Sequence, residues 1–176
     1  YHKSLTSGKN LNLNTTDAEF SVSAGAITAS SASAISIGTS VAVNDNSSDN
    51  YIMYAFTSIE GYSKCGSYVG NGSTDGPFVY TGFRPAFVIV KRTTGSFSAT
   101  DGLWTIVDST RRPFNGGAAN TLHANDTSVE FTGSANKIDF FSNGFKLAAT
   151  NNNVNSTENF IFMAFAEQSF KFSNAR

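Results

Sequence analysis

At 176 residues, of which 40% are hydrophobic, the chain is long enough to bury a substantial core, as one large all-β unit or as two modest ones. Twelve basic and 13 acidic residues leave a formal net charge of −1, which offers no footprint for a phosphate backbone or anionic lipid, so no nucleic-acid partner is expected. Charged residues make up only 14%, against roughly 25% in an average domain, and the single cysteine, Cys65, excludes an intrachain disulfide framework and a multi-cysteine zinc site.

Sixteen Phe, six Tyr and one Trp fall in short runs separated by Gly, Asn, Asp and Ser clusters, the pattern of strands and turns. Strands are predicted over 11–14, 34–39, 51–58, 78–80, 86–92, 104–108, 122–124, 138–141, 145–149 and 160–167. Residues 21–40 are rich in Ala and Ser, whose small side chains give little to pack, so this stretch is a mobile loop or a pair of thin strands. Cys65, in Ser63-Lys-Cys-Gly66, reads as a small buried or half-buried residue. Gly70-Asn-Gly-Ser-Thr-Asp-Gly76 followed by Pro77 is a turn-rich connector. Asn143-Gly144 between two apolar runs predicts a tight β-hairpin. At period two the last strand places Phe160, Phe162, Ala164 and Ala166 on one face and Ile161, Met163 and Phe165 on the other, so it should lie centrally in a sheet covered on both sides. Helical periodicity is nowhere sustained, and no stretch has the length of a transmembrane helix, so no membrane insertion is expected.

The segment Asn46-Ser-Ser-Asp-Asn-Tyr-Ile-Met-Tyr-Ala-Phe56 returns as Asn155-Ser-Thr-Glu-Asn-Phe-Ile-Phe-Met-Ala-Phe165, at a spacing of 109 positions. A second echo, Leu11-Asn-Leu-Asn-Thr-Thr-Asp-Ala-Glu-Phe20 against Leu122-His-Ala-Asn-Asp-Thr-Ser-Val-Glu-Phe131, stands at 111. Such self-similarity predicts two tandem β-repeats, residues 1–69 and 70–176, forming an antiparallel β-sandwich of jelly-roll or lectin type. Tyr51, Met53 and Ala55 alternate with Ile52, Tyr54 and Phe56, repeating the two-faced pattern of the last strand. Copy two opens with Phe83-Arg-Pro-Ala-Phe-Val-Ile-Val-Lys-Arg92, whereas copy one enters at Tyr1, close to the equivalent of Val107, so its opening strands are absent. The chain, which starts without Met, is therefore expected to be a piece of a longer polypeptide.

No catalytic, metal or cofactor-binding residue is assigned. Gly70, Gly72 and Gly76 lack the spacing and the strand–loop–helix setting of a dinucleotide fingerprint. Asp108, Ser109 and His123 have no nucleophile elbow around them, and His123 matches Asn12 of the other copy. The acidic cluster Asn44-Asp-Asn-Ser-Ser-Asp-Asn50 lacks the central glycine and terminal glutamate of a calcium-binding EF-hand loop, and turn chemistry explains it better. Five Asn-x-Ser/Thr triplets begin at Asn14, Asn46, Asn71, Asn125 and Asn155. Four of them pair between copies, which favours turn-forming asparagines over glycan acceptors. Tyr80, Phe114 and Trp104 could stack on sugar rings, or fill the core or a subunit interface. Asp75, Asp101, Asp108 and Glu130 are available for a glycosidase-like pair, but nothing in the sequence pairs them.

The segments Gly66-Ser-Tyr-Val-Gly-Asn-Gly-Ser-Thr-Asp-Gly-Pro-Phe-Val-Tyr-Thr-Gly-Phe-Arg-Pro-Ala-Phe-Val-Ile-Val-Lys91, Asp139-Phe-Phe-Ser-Asn-Gly-Phe-Lys-Leu147 and Ile161-Phe-Met-Ala-Phe-Ala-Glu167 closely resemble a β-rich repeat domain of tailed-bacteriophage virion proteins, often found downstream of a SPRY-like, lectin-type domain. The resemblance implies a non-enzymatic structural component of a virion, such as a tail fibre or tailspike, made in the bacterial cytoplasm and assembled with other virion subunits as a homo-oligomer. It also implies possible contact with host-surface glycan, and a carbohydrate-binding module is the alternative reading. No cofactor follows from it. The Ala/Ser-rich insertion after Phe20 and the loop Arg111-Arg-Pro-Phe-Asn-Gly-Gly117 depart from the pattern, so receptor specificity is expected in such loops.

Overall fold

The computed structural model describes residues 1–22, 26–31, 33–45, 49–98 and 100–168. Its elements are all strands: β1 (Lys9–Asn10), β2 (Phe20–Ser21), β3 (Ile27–Ser30), β4 (Ile35–Ile37), β5 (Ser63–Val69), β6 (Phe78–Tyr80) and β7 (Pro85–Arg92), followed by β8 (Thr105–Asp108), β9 (Ala119–His123), β10 (Phe131–Gly133), β11 (Ile138–Phe141), β12 (Gly144–Leu147) and β13 (Asn159–Ala166). Two antiparallel sheets make the body, one six-stranded in the order β10-β9-β8-β7-β13-β5 and one three-stranded in the order β11-β12-β6. The pairs β1–β2 and β3–β4 form two small separate hairpins.

The core lies between the two large sheets. From the six-stranded sheet come Tyr68, Val88, Val90, Val107, Phe160, Phe162 and Ala164, and from the three-stranded sheet Val79, Ile138, Phe140, Phe145 and Leu147, all in one buried cluster. Alternation along each strand puts these residues on the inner faces, the arrangement of a β-sandwich. The Tyr68 ring stacks on Phe160 at 5.0 Å between centroids, and its hydroxyl donates to the Val154 carbonyl at 2.7 Å, which settles the one polar atom of that ring inside the core. The all-β sandwich predicted from the sequence is thus the observed architecture.

As its two-faced pattern requires, β13 lies between β5 and β7. Its second face is also covered: Ile161 is buried, and Phe165 packs edge-on against Phe56 and Tyr62, each at 5.9 Å. Residues 1–20 run along the six-stranded sheet, where Glu19 N donates to the Thr93 carbonyl at 2.9 Å, Trp104 Nε1 to Asn12 O at 2.9 Å and Lys91 Nζ to Thr16 O at 2.8 Å.

Several expectations need correction. Residues 51–58 form no strand, and among the described residues no backbone-to-backbone hydrogen bond joins them to the rest of the chain. A strand has no internal hydrogen bonds and exists only beside a partner, and this segment has none. Tyr51, Ile52, Met53, Tyr54, Phe56 and Ile59 are consequently all exposed, Ile52 by 82%. Residues 11–14 are likewise not a strand; pairing stops at Asn10, opposite Phe20, and the chain turns to offer the Asn12 carbonyl to Trp104. The tight hairpin predicted at Asn143-Gly144 is present as β11–β12, with Ser142-Asn143 as its two-residue loop because Gly144 is already paired with Phe141. Residues 21–40 hold the thin pair β3–β4. β5 is not among the predicted strands; it lies on the N-terminal side of the expected 69/70 boundary yet pairs with β13 over seven residues.

Candidate functional site

Most of the polar residues singled out in the sequence build loops. Asn155 is fully buried, and its Nδ2 donates to Asn71 Oδ1 (3.1 Å), Ser73 O (2.7 Å) and Ala149 O (2.9 Å), while its Oδ1 accepts from Asn71 N (3.0 Å). The glycine-rich connector is therefore a cradle for one amide. A Cβ at Gly76 would stand 2.7 Å from Asn155 Nδ2, and one at Gly70 would stand 2.9 Å from the Asn155 carbonyl carbon, which explains the glycines. Asn71 also closes an Asx turn, its Oδ1 accepting from Ser73 N at 3.0 Å. Asn125 Oδ1 accepts from Trp104 N at 2.9 Å. Of the triplet asparagines, Asn14 is exposed and Asn46 lies outside the described residues.

Asp108, Ser109 and His123 are not brought together as a catalytic triad. His123 faces Thr105 across β8 and β9, with Nδ1 3.5 Å from Thr105 Oγ1, whereas Asp108 is at the other end of β8, about 10 Å along the strand. Burial lowers the His123 pKa, partly offset by Asp126. The Asp108 carboxylate accepts from the Thr110 and Arg111 backbone N–H groups and is paired with the Arg111 guanidinium, which also reaches Glu130 at 3.3 Å. Asp75 is paired with Lys146, and Asp101 stands 4.0 Å from Arg92. Asp108 and Glu130 do meet, but around a cation. The Cys65 thiol is half-buried, and burial raises its pKa, opposed by Lys3, so it is not an activated nucleophile. Of the cluster 44–50, residues 46–48 lie outside the described residues; Asn44 Nδ2 donates to Gly38 O at 3.0 Å and Asp45 N to the Tyr51 hydroxyl at 3.2 Å. Among the described residues no group of three or more His, Cys, Asp or Glu could hold a metal ion, and no helix is long and apolar enough to cross a membrane.

Lys91 and Arg92 are buried cations that no motif marks in the sequence. Lys91 Nζ donates to Thr16 O and, at 2.6 Å, to Gly102 O, and both cations lie over the Phe97 ring, at 4.8 and 4.1 Å from its centroid. Burial, reinforced by Arg92 and opposed by Asp17, lowers the Lys91 pKa to about 8. Through Lys91 Nζ on Thr16 O and Gly102 O, and Arg92 Nη2 on Ser96 O at 2.7 Å, the pair clamps the 93–103 loop to residue 16. The loop 111–117 is tied down as well. Arg112 is buried against Asp139 at 2.6 Å and donates to Ile138 O at 2.8 Å, and Asn115 bonds both the N–H and the carbonyl of Phe140. These side chains cover the outer edge of β11, an edge that would otherwise invite strand pairing. Phe114, in the same loop, is 80% exposed.

What remains open is the outer face of the three-stranded sheet and the cleft beside it. Tyr80 and Phe141 flank Gly144 in one cross-strand row, while Phe78 pairs with Lys146 in the next. Phe78 packs edge-on against Phe141 at 6.0 Å, over Gly144, where a Cβ would come within 2.7 Å of the Phe78 ring. All three rings are solvent-exposed, Tyr80 by 64%. Phe78 and Tyr80 also border an open depression of about 250 Å³ between β5 and β6, floored by Gly66, Tyr68 and Phe162. Both strands are sheet edges there. Tyr80 and Phe114 are therefore surface residues rather than core, and Trp104 is half-buried.

The profile of a domain of unknown function, DUF7483, matches residues 1–169. The chain belongs to the DUF7483 family. No curated protein and no solved structure matches it. The DUF7483 match runs through both copies of the repeated segment and through the aromatic face.

Proposed function

We propose that this DUF7483 chain is a non-enzymatic structural module of a bacteriophage virion, part of a tail fibre, tailspike or other exterior particle protein, which assembles as a homo-oligomer and contacts the host surface. The long motifs around residues 66–91, 139–147 and 161–167 support the phage reading. The observation that carries the assembly reading is the exposed face of Phe78, Tyr80 and Phe141 beside the β6 edge and the uncovered part of the β5 edge. Contiguous aromatic surface next to unpaired backbone favours association over solvation. The commitment of the buried polar side chains to loop and edge bonds fits a scaffold. Mass spectrometry of purified particles of the encoding phage tests it: peptides of this chain in stoichiometric amounts are expected, and their absence from the particle defeats the proposal.

The second reading, a carbohydrate-binding module, draws on the same face, because exposed aromatic rings beside polar groups such as Lys64 and Ser67 suit stacking on a sugar. A glycan array separates the two. Binding lost on Tyr80→Ala favours the lectin reading, and a blank array removes it.

A further inference from the structure

The first quarter of the chain repeats much of the hydrogen bonding of its last third, apart from a bulge that shifts the register inside β3–β4. Asn10↔Phe20 and Lys9↔Ser21 in β1–β2 stand 111 positions before Thr121↔Phe131 and Asn120↔Thr132 in β9–β10. Ile27↔Ile37 in β3–β4 corresponds, to within one position, to Ile138↔Leu147 in β11–β12. The link closing each hairpin recurs too, Gly38 N to Ala26 O at 2.9 Å and Ala148 N to Lys137 O at 2.9 Å. So does the turn that follows: the N–H groups of Val43 and Asn44 donate to Ser40 O, as those of Val154 and Asn155 donate to Asn151 O. Ala42 N bonds Ser40 Oγ where Asn153 N bonds Asn151 Oδ1, and Asn44 Nδ2 donates to Gly38 O where Asn155 Nδ2 donates to Ala149 O.

These bonds correct the sequence alignment by two residues. Asn44, not Asn46, is the counterpart of Asn155, and two extra residues separate it from the segment 51–56, which stays 109 positions from 160–165. The correspondence ends where copy two calls on β5 to β8. Asn155 is closed off by the 70–76 loop, whereas Asn44 is exposed and its Oδ1 has no partner among the described residues. Residues 160–165 sit between β5 and β7, whereas 51–56 sit beside neither kind of strand.

We infer that the described residues of the span 9–58 belong to one half of a second sandwich, with β1 to β4 already paired, and that their partner is the other half, a segment of the β5-to-β8 type (the counterpart of residues 63–108) from another repeat unit. The register follows from copy two: Tyr54, as the counterpart of Met163, faces the equivalents of Ile89 on one side and Cys65 on the other. Asn44 then takes the amide bonds of a 70–76-type loop. A second native copy of this chain cannot supply the segment, because its β7 is already paired on both edges, with β8 and β13. The inference rests on the repeated bonding rather than on the virion reading, which its failure would leave standing.

Hydrogen exchange followed by mass spectrometry tests it on the full chain and on a chain with a second copy of residues 63–106 placed directly ahead of Tyr1. In the native chain the amides of 51–58 exchange freely at all concentrations. In the extended chain they slow at least about tenfold, toward the protection of 160–166, and Asn44→Ala lowers Tm there while leaving the native chain unchanged. Should the extended chain misfold, a peptide of Phe83–Arg92 added to the native chain is expected to protect the same amides, and a scrambled peptide not. The inference is overturned if 51–58 stay unprotected in a folded extended chain, if the peptide fails where the extended chain misfolds, or if protection in the native chain rises with its own concentration.

Discussion

Asn155 shows how one side chain can organise three segments. Its four amide hydrogen bonds join the 70–76 loop, the end of β12 and the turn before β13, with no water needed. Truncation would take the partner from two backbone carbonyls and the Asn71 N–H around a fully buried side chain, and each such loss is costly. Asn155→Ala should lower stability by roughly 2–4 kcal/mol, read by denaturant unfolding of the native chain. The corresponding change at exposed Asn44 should be within about 0.5 kcal/mol, because a single carbonyl bond to Gly38 is lost where water can replace it. The abundance of Asn between apolar runs predicts turns, and Asx turns at Asn71 and Asn151 are found. The choice of Asn44 over Asn46 is not legible in the sequence, because both precede the repeated run and only the bonding distinguishes them.

At the scale of elements, strands with a strong apolar signal and a partner were readable. β6, β7, β8, β11 and β13 fall within a residue or so of their predicted positions. β5 was missed because Ser63-Lys-Cys-Gly-Ser67 carries neither β-branched nor aromatic residues, and it is a strand because β13 needs a second neighbour. Residues 51–58 fail in the opposite way, having the pattern without the partner. Two matched substitutions separate pattern from pairing. Ala164→Pro removes a donor in the middle of β13 and should cost upwards of about 3 kcal/mol, whereas Ala55→Pro at the equivalent position should be near neutral in the native chain. Thermal or denaturant melts read both, and equal effects would mean that 51–58 is a paired strand after all.

At the scale of the molecule, the sandwich has protected and unprotected borders. The β11 edge is covered by Asn115, Arg112 and Arg84, and part of the β5 edge by Ser58, whose hydroxyl bonds both the N–H and the carbonyl of Cys65. The cleft between β5 and β6 is left open, with Phe78, Tyr80 and Phe141 at its side. Sequence alone singled out Tyr80, but the grouping of the three rings depends on Gly144 leaving room for Phe78 and on a cross-strand register fixed by the fold. That face is the proposed surface through which copies associate. Sedimentation velocity of the full chain against the Tyr80→Ser, Phe141→Ser double variant tests this most directly. The native chain should sediment as an oligomer at micromolar concentration and the folded double variant as a monomer; a native chain that stays monomeric, or a variant that associates equally well, would contradict it.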